Sequence, residues 1–292
     1  TELIKKNYDV TILDNFLFNQ KKIITKIIKK KTKIIHGDVR DSKLIKNTVK
    51  NFDIIIPLAA IVGAPLCMKN PNLAKSVNVG SIKKLIKNLS KDQIIIVPTT
   101  NSGYGIGKKD DFCTEKSPLR PVSLYGQTKV MAEKLILDHK NSCSLRLATV
   151  FGTSPRMRRD LLVNDFVYKA FNFKKITLFE GHFRRNYIHI NDVCRVFLFA
   201  IKNFNKFKNN IFNVGLSSAN LTKNELCNKI KKHVPDLKIK INEFAKDPDK
   251  RDYIVSNEKL EKTGFKTKYS IDYGIKELLK FYKQNKRTYT NV

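Results

Sequence analysis

Five stretches of the chain carry consecutive apolar residues, and helix-period patterns lie between several of them. The apolar runs are VTIL (10–13), KIIHGD (33–38), DIIIPLA (53–59), QIIIVPTT (93–100) and SLRLATVFG (144–152), with helical patterns over 44–50, 73–89 and 124–138. Continuous Ile/Val runs, unlike in-out alternation, suit strands covered on both faces. Strands alternating with helices in this way predict an α/β fold with a parallel doubly wound sheet. After about residue 153 the rhythm changes to a basic segment SPRMRRD, a helix candidate LLVNDFVYKAF, and shorter strands KITLFE and NIFNVG. A helix is predicted after Leu221, with Thr222 as its cap and Glu225 completing a capping box. Residues 270–282 read as one amphipathic helix. Neither internal repeats nor a low-complexity linker divides the chain, so two packed units are expected, over 1–153 and 154–292.

Composition narrows the class. A chain of 292 residues with 41% hydrophobic content can bury a substantial core. No apolar run approaches the roughly 18 residues of a membrane span, and the lysine-rich start has no signal-peptide apolar region. A soluble, unsecreted, cytoplasmic protein is the expectation, with no membrane partner. Cys67, Cys113, Cys143, Cys194 and Cys227 lie far apart without a C-x-x-C pair, which points to reduced thiols rather than zinc or disulfides. The five histidines show no metal-ligand spacing, so no metal is expected. A formal charge of +31, from 57 basic and 26 acidic residues, invites a nucleic-acid reading. The lysines, however, are spread from end to end, and no aromatic-interleaved motif accompanies them. The charge therefore reads as a composition-wide bias, whose field would favour an anionic small-molecule substrate over nucleic acid.

Two local patterns carry chemistry. Asp14 closes the run VTIL, and an acid so placed in a dinucleotide-binding βαβ unit grips the adenosine ribose, about 20 residues after a glycine-rich phosphate loop. Only 13 residues precede Asp14 and none is glycine. The segment YGQTK sets Tyr125 and Lys129 four apart on one helix face, where the ammonium can lower the phenol's pKa. Tyr104/Lys108 and Tyr282/Lys286 share that spacing. Tyr125 alone opens a helix after a strand, QIIIVPTT, at whose carboxyl end a doubly wound sheet binds ligands.

HGDVRD (36–41), PLAAIVG (57–63), SVNVGS (76–81), PTTNSGYG (98–105), SLYGQTK (123–129), LRLATVFG (145–152), RRNYIHINDV (184–193), NVG (213–215) and DPDKRDY (247–253) occur in an order and spacing that resembles a known family. It is that of the extended short-chain dehydrogenases/reductases acting as NAD-dependent nucleotide-sugar epimerases and dehydratases, and the likeness runs from Val10 to about Tyr282. The resemblance implies a Rossmann-type domain and a smaller α+β substrate domain, with 185–201 packing back on the first. It implies NAD as cofactor, with Asp14 at the adenosine ribose, Asp38 and Val39 at the adenine, and Leu58, Ala59 and Ala60 along the cofactor path. Asn78 would support the site, Thr100, Tyr125 and Lys129 would form the catalytic triad, and Tyr125 and Lys129 would also face the cofactor. Asn164, Arg185 and Arg251 match positions that hold the diphosphate of a nucleotide-diphosphate sugar. Asp14 with no nearby arginine in sequence favours NAD over its phosphorylated form. A homodimer built on helices is usual in the family.

The implied reaction begins with oxidation of a sugar hydroxyl, whose proton needs a base as hydride leaves for the nicotinamide. A tyrosine with a pKa near 10 must be lowered by roughly 3 units, about 4 kcal/mol, to serve at neutral pH. Lys129 and the oxidised nicotinamide would supply that, while Thr100 holds the substrate oxygen. Family members that remove water across C5 and C6 carry Asp-Glu directly after the catalytic Thr. Asn101 and Ser102 stand there in this chain, and Ser102 also replaces the Cys of some reductive double epimerases. The expectation is an epimerase acting at C4 of a UDP- or GDP-linked sugar for surface polysaccharide synthesis. A 4-keto sugar reductase is the alternative, and a non-catalytic or nucleic-acid-binding protein the rival of another class. His189 is expected to pack or bond locally, and Asp192 to cap a helix. With Thr1 rather than Met first and no glycine before Asp14, the resemblance further implies a strand and a glycine-rich loop upstream, without which the chain would bind NAD poorly.

Overall fold

The computed structural model describes residues 1–21, 24, 32–108, 110–242, 251–284, 288 and 290. The predicted strands form in sequence order as β1 Thr11–Asp14, β2 Lys33–His36, β3 Ile54–Ile55, β4 Ile94–Thr100 and β6 Ser142–Leu147, with a short unpredicted β5 Phe112–Cys113 before the last. The run SLRLATVFG, read as one strand, is two. At Ala148 the chain turns out of the sheet, its N–H bonding Val214, and β7 Thr149–Phe151 joins a different sheet. Beyond it come β8 Lys175–Leu178, β9 Arg184–His189, β10 Asn210–Val214, β11 Asn220–Thr222, β12 Lys238–Ile241 and β13 Ile254–Val255. The longer helices are α1 Ser42–Val49, α2 Ser81–Ile86, α3 Leu124–Leu137, α4 Leu162–Phe173, α5 Ile190–Lys202, α6 Lys223–His233 and α7 Ile271–Gln284.

The central sheet is parallel, in the order β10-β6-β4-β3, and β1 pairs with β2 in a separate parallel ladder. Ile95 and Ile96 show why its strands are continuously apolar. Both are fully buried, Ile95 against Ile82, Ala132 and Ile136 on one face and Ile96 against Leu145, Val196 and Ala200 on the other. Each such side chain taken from water is worth about 1.5–3 kcal/mol. Helix α5 thus covers the first sheet although it follows β9 in the chain. A second core gathers Phe151, Tyr187, Ile230 and Leu278 beneath α4, α6 and α7.

Three local expectations resolve differently or more finely. The helix read over 73–89 consists of Pro71–Lys75, a π-helical segment Ser76–Gly80 and α2; wider turns of this kind tend to lie at functional sites. Asp192 does not cap α5. The cap is His189, whose Nδ1 accepts the Asn191 N–H at 3.2 Å, while buried Asp192 accepts the N–H groups of Lys268 and Tyr269. His189 also reaches beyond its neighbourhood, pairing through Nε2 with Glu277 at 3.0 Å. The capping box of α6 forms as read, Thr222 bonding the Glu225 N–H and the Glu225 carboxylate the Thr222 N–H.

A cavity of about 570 Å³ lies between β1 and β3, lined by all four residues of β1 and both of β3. Among the described residues β1 has no ladder partner besides β2, and β3 none besides β4. No helix among these residues is long and apolar enough to cross a membrane, and no group of three or more His, Cys, Asp or Glu could hold a metal ion.

Candidate active site

Strand β4 ends at Thr100, which caps the 3₁₀ turn Asn101–Tyr104 by accepting the Ser102 N–H at 3.1 Å. The Thr100 hydroxyl donates to the Ser102 hydroxyl at 2.9 Å. Opposite, Ser123 caps α3 by accepting the Gly126 N–H, which places Tyr125 in the first turn and Lys129 one turn on. Gly126 lets the two elements meet: a Cβ there would stand 3.2 Å from the Ser102 carbonyl and 3.0 Å from Pro121. The structure therefore brings Thr100, Tyr125 and Lys129 to one place, beside an amide and a hydroxyl, Asn101 and Ser102, that are both buried.

The electrostatics depart from the simple expectation. Burial pushes the Tyr125 phenol up to about 12, and the charge that opposes this most is Arg251, with the Thr100 hydroxyl and Arg158 acting in the same direction. Lys129 is itself lowered to about 8, chiefly by burial, with the Glu133 carboxylate opposing the fall. The cation that most favours the phenolate is thus an arginine from the far end of the chain rather than the lysine one turn away.

Arg251 enters through an anchored segment. Its Nη1 donates to the Ser102 hydroxyl, and its carbonyl accepts from Arg185 Nη1. Next to it Asp252 pairs with Arg184 at 3.0 Å and accepts the Gly107 N–H through its carbonyl, which straps the segment to the loop after β4. Arg185 is therefore in contact with the backbone of Arg251. Asn164 is engaged elsewhere: its amide accepts the Gly152 N–H at 3.1 Å and donates to the Arg158 carbonyl at 2.8 Å, holding the loop that carries Arg158.

Asp14, Asp38 and Val39, expected at the adenosine, and Leu58, Ala59 and Ala60, expected along the cofactor path, all line the cavity between β1 and β3. Asp14 closes β1 and accepts the Phe16 N–H at 2.7 Å, with Gln20 bridging both its oxygens. Asp38 is held well below the usual carboxylate range, first by its hydrogen bonds with Arg40, which lines the same cavity. Asn78 stands outside that lining. From the π-helical turn it grips the Ile61 N–H and C=O and donates to Thr128 on α3, tying the PLAAIVG loop to the helix of Tyr125 and Lys129. The cavity's mainly apolar lining with the carboxylates of Asp14 and Asp38 fits the adenosine half of a dinucleotide.

Sequence reading did not single out Ser102 as a partner of Arg251, nor Arg158, Arg40 and Glu133. Glu133 had a visible signal, four residues after Lys129 in the same helical row. Arg40 likewise stands two residues from Asp38, whereas Ser102 and Arg158 meet their partners only through the fold.

The model of the NAD dependent epimerase/dehydratase family matches residues 1–215. A Methanocaldococcus jannaschii protein provisionally named UDP-glucose 4-epimerase is 25% identical over 297 residues, spanning 98% of this chain and 94% of that one. Human dTDP-D-glucose 4,6-dehydratase is 25% identical over 305 residues, spanning 98% of this chain and 85% of its own. The fold is shared with the crystal structure of a UDP-glucose 4-epimerase from Thermotoga maritima, with a TM-score of 0.83 at 21% identity over 97% of this chain and 93% of that one.

Proposed function

The chain belongs to the NAD-dependent epimerase/dehydratase family, and from that premise we propose that it is a nucleotide-sugar 4-epimerase working through a transient 4-keto sugar. The observation that carries this reading is the meeting of Thr100, Tyr125 and Lys129 at the carboxyl end of β4 with no carboxylate in the turn beside Thr100. Elimination of water would need an acid and a carbon-proton base there, and Asn101 and Ser102 offer neither.

In this reading Tyr125 takes the proton of the sugar hydroxyl and later returns it, the epimer arising when the keto sugar has turned in between. Thr100 orients the reacting oxygen, donating or accepting as it changes from alcohol to ketone. Arg251 favours the phenolate, and with Arg185 it supplies the positive charge that a nucleotide diphosphate requires. Asp14, Asp38 and Val39 would hold the adenosine of NAD and Leu58, Ala59 and Ala60 would line the cofactor's path, with Tyr125 and Lys129 beside its reactive end. NAD, when bound, supplies the hydride acceptor. Asn164 and Asn78 act on the site through the loops they hold.

The test is turnover of a panel of UDP- and GDP-sugars followed by sugar NMR, with Tyr125→Phe alongside the unaltered chain. Equal turnover by both would overturn the mechanism. A 4-keto sugar reductase would instead consume reduced nicotinamide in proportion to product, so its absorbance during turnover separates the two reactions.

A further inference from the structure

Behind the catalytic face lies a buried ion pair whose carboxylate gathers an unusual number of partners. Glu133 continues the row of α3 that begins with Tyr125 and Lys129, one helical turn beyond the lysine. Its Oε2 accepts from the Thr99 hydroxyl at 2.9 Å and the Ser144 hydroxyl at 2.7 Å, while Arg146 Nη2 approaches Oε1 at 2.6 Å. Glu133 and Arg146 each expose only 3% of their surface. Arg146 goes on to donate to the Tyr104 hydroxyl at 3.0 Å, and that hydroxyl donates to Asn213 at 2.6 Å.

A pair buried this deeply is no economical source of stability, because desolvating two charges offsets most of their attraction, and apolar replacements of similar volume are often neutral. Its partners show what it fixes. Thr99 immediately precedes Thr100, Ser144 and Arg146 lie on the neighbouring strand β6, Tyr104 ends the turn that Thr100 caps, and Tyr125 and Lys129 sit on the helix that carries Glu133. One carboxylate therefore sets the register of α3 against β4, on which the spacing of Thr100 and Tyr125 depends.

We propose that Glu133 is a positioning residue of the active centre, locking the helix of Tyr125 and Lys129 onto the strand that ends in Thr100 and serving as the buried counter-charge of Lys129. This rests on the epimerase reading only for its kinetic arm. Among the charges that act on Lys129, Glu133 is the one that favours the ammonium, so its neutralisation leaves burial unopposed.

Glu133→Gln alone would strand a buried guanidinium, so the deciding variant is E133Q/R146M, which removes both charges together, checked for folding by circular dichroism. The first readout needs no substrate: the Lys129 ammonium is titrated by NMR in the chain labelled with ¹³C at lysine Cε, its signal identified by loss in Lys129→Arg. The midpoint is expected to fall by about one pH unit in the double variant. With substrate, the alkaline limb of kcat should fall by a similar amount and kcat itself about ten-fold, KM holding nearly constant. Glu133→Asp, which keeps the charge but shortens the reach, should keep the titration and lose part of kcat. A folded double variant whose Lys129 titrates as in the unaltered chain would overturn the proposal. Failure of the epimerase reading would look different, with no turnover in any form and the titration still shifted.

Discussion

Arg251 and Ser102, 149 positions apart in the sequence, meet through a hydrogen bond from the guanidinium to the serine hydroxyl, the same oxygen that receives the proton of Thr100. The cation is thus joined to Thr100 through one hydroxyl, and it is the charge that most favours ionisation of Tyr125. Removing it makes the phenolate harder to form, which raises the pKa that burial has already pushed to about 12. Arg251→Gln is expected to shift the ascending limb of the kcat–pH profile to higher pH by about one unit. Arg251→Lys should recover part of the shift, since it restores charge without the planar fork. A rise in KM with an unmoved profile would confine Arg251 to substrate binding.

The His189–Glu277 pair predicts a pH dependence of stability. Burial acts to raise the Glu277 pKa, but the hydrogen bonds from the His189 ring and the Thr153 N–H outweigh it, so the folded value lies below the ordinary 4.5. A carboxyl depressed by folding contributes stability that is fully present above its unfolded value and lost as pH falls through the folded one. Glu277→Gln should therefore lower the unfolding free energy at pH 7 by about 1 kcal/mol and flatten its decline below pH 5. Urea titrations at several pH values would show both.

Two glycines with positive φ should respond differently to alanine. At Gly264, φ +97, nothing lies within 4 Å of an added Cβ, so only backbone strain of about 1 kcal/mol is expected. At Gly152, φ +111, the Cβ would stand 2.5 Å from His189 Nε2, the atom that pairs with Glu277. Gly152→Ala should cost about 2–4 kcal/mol, strain and overpacking together, and denaturant midpoints would order the two variants.

Thr222→Ala removes the acceptor for the Glu225 N–H and half of the capping box of α6. A loss of about 1 kcal/mol is expected, measurable by chemical denaturation. Glu225→Ala should add little on top, because both residues serve one reciprocal pair.

The features that sequence made visible are those whose cause is local. A threonine three residues before a glutamate makes its own cap, and neighbouring isoleucines such as Ile95 and Ile96 announce a strand buried on both faces. Thr100, Tyr125 and Lys129 could be picked out because a strand end and a helix start imply where they lie. The rest depended on partners distant in the chain. Nothing near Asp192 indicates that Lys268 and Tyr269 claim its carboxylate and leave the cap to His189. The break in SLRLATVFG at Ala148 follows from β7 pairing with β9 in another sheet, and the cation at the phenol comes from residue 251. The spacing of Tyr125 and Lys129, shared by two other pairs, pointed to the lysine as the charge acting on the phenol, whereas the largest favourable charge there is that of Arg251.

The two parallel ladders on either side of the cavity between β1 and β3 differ in endurance. β1 is joined to β2 at four paired positions, whereas β4 and β6 share six and are fully covered at Ile95, Ile96 and Leu145. Amide protons of β1 and β2 are accordingly expected to exchange with solvent through a shallow local opening, long before those of β4 and β6, which should wait for the whole molecule to unfold.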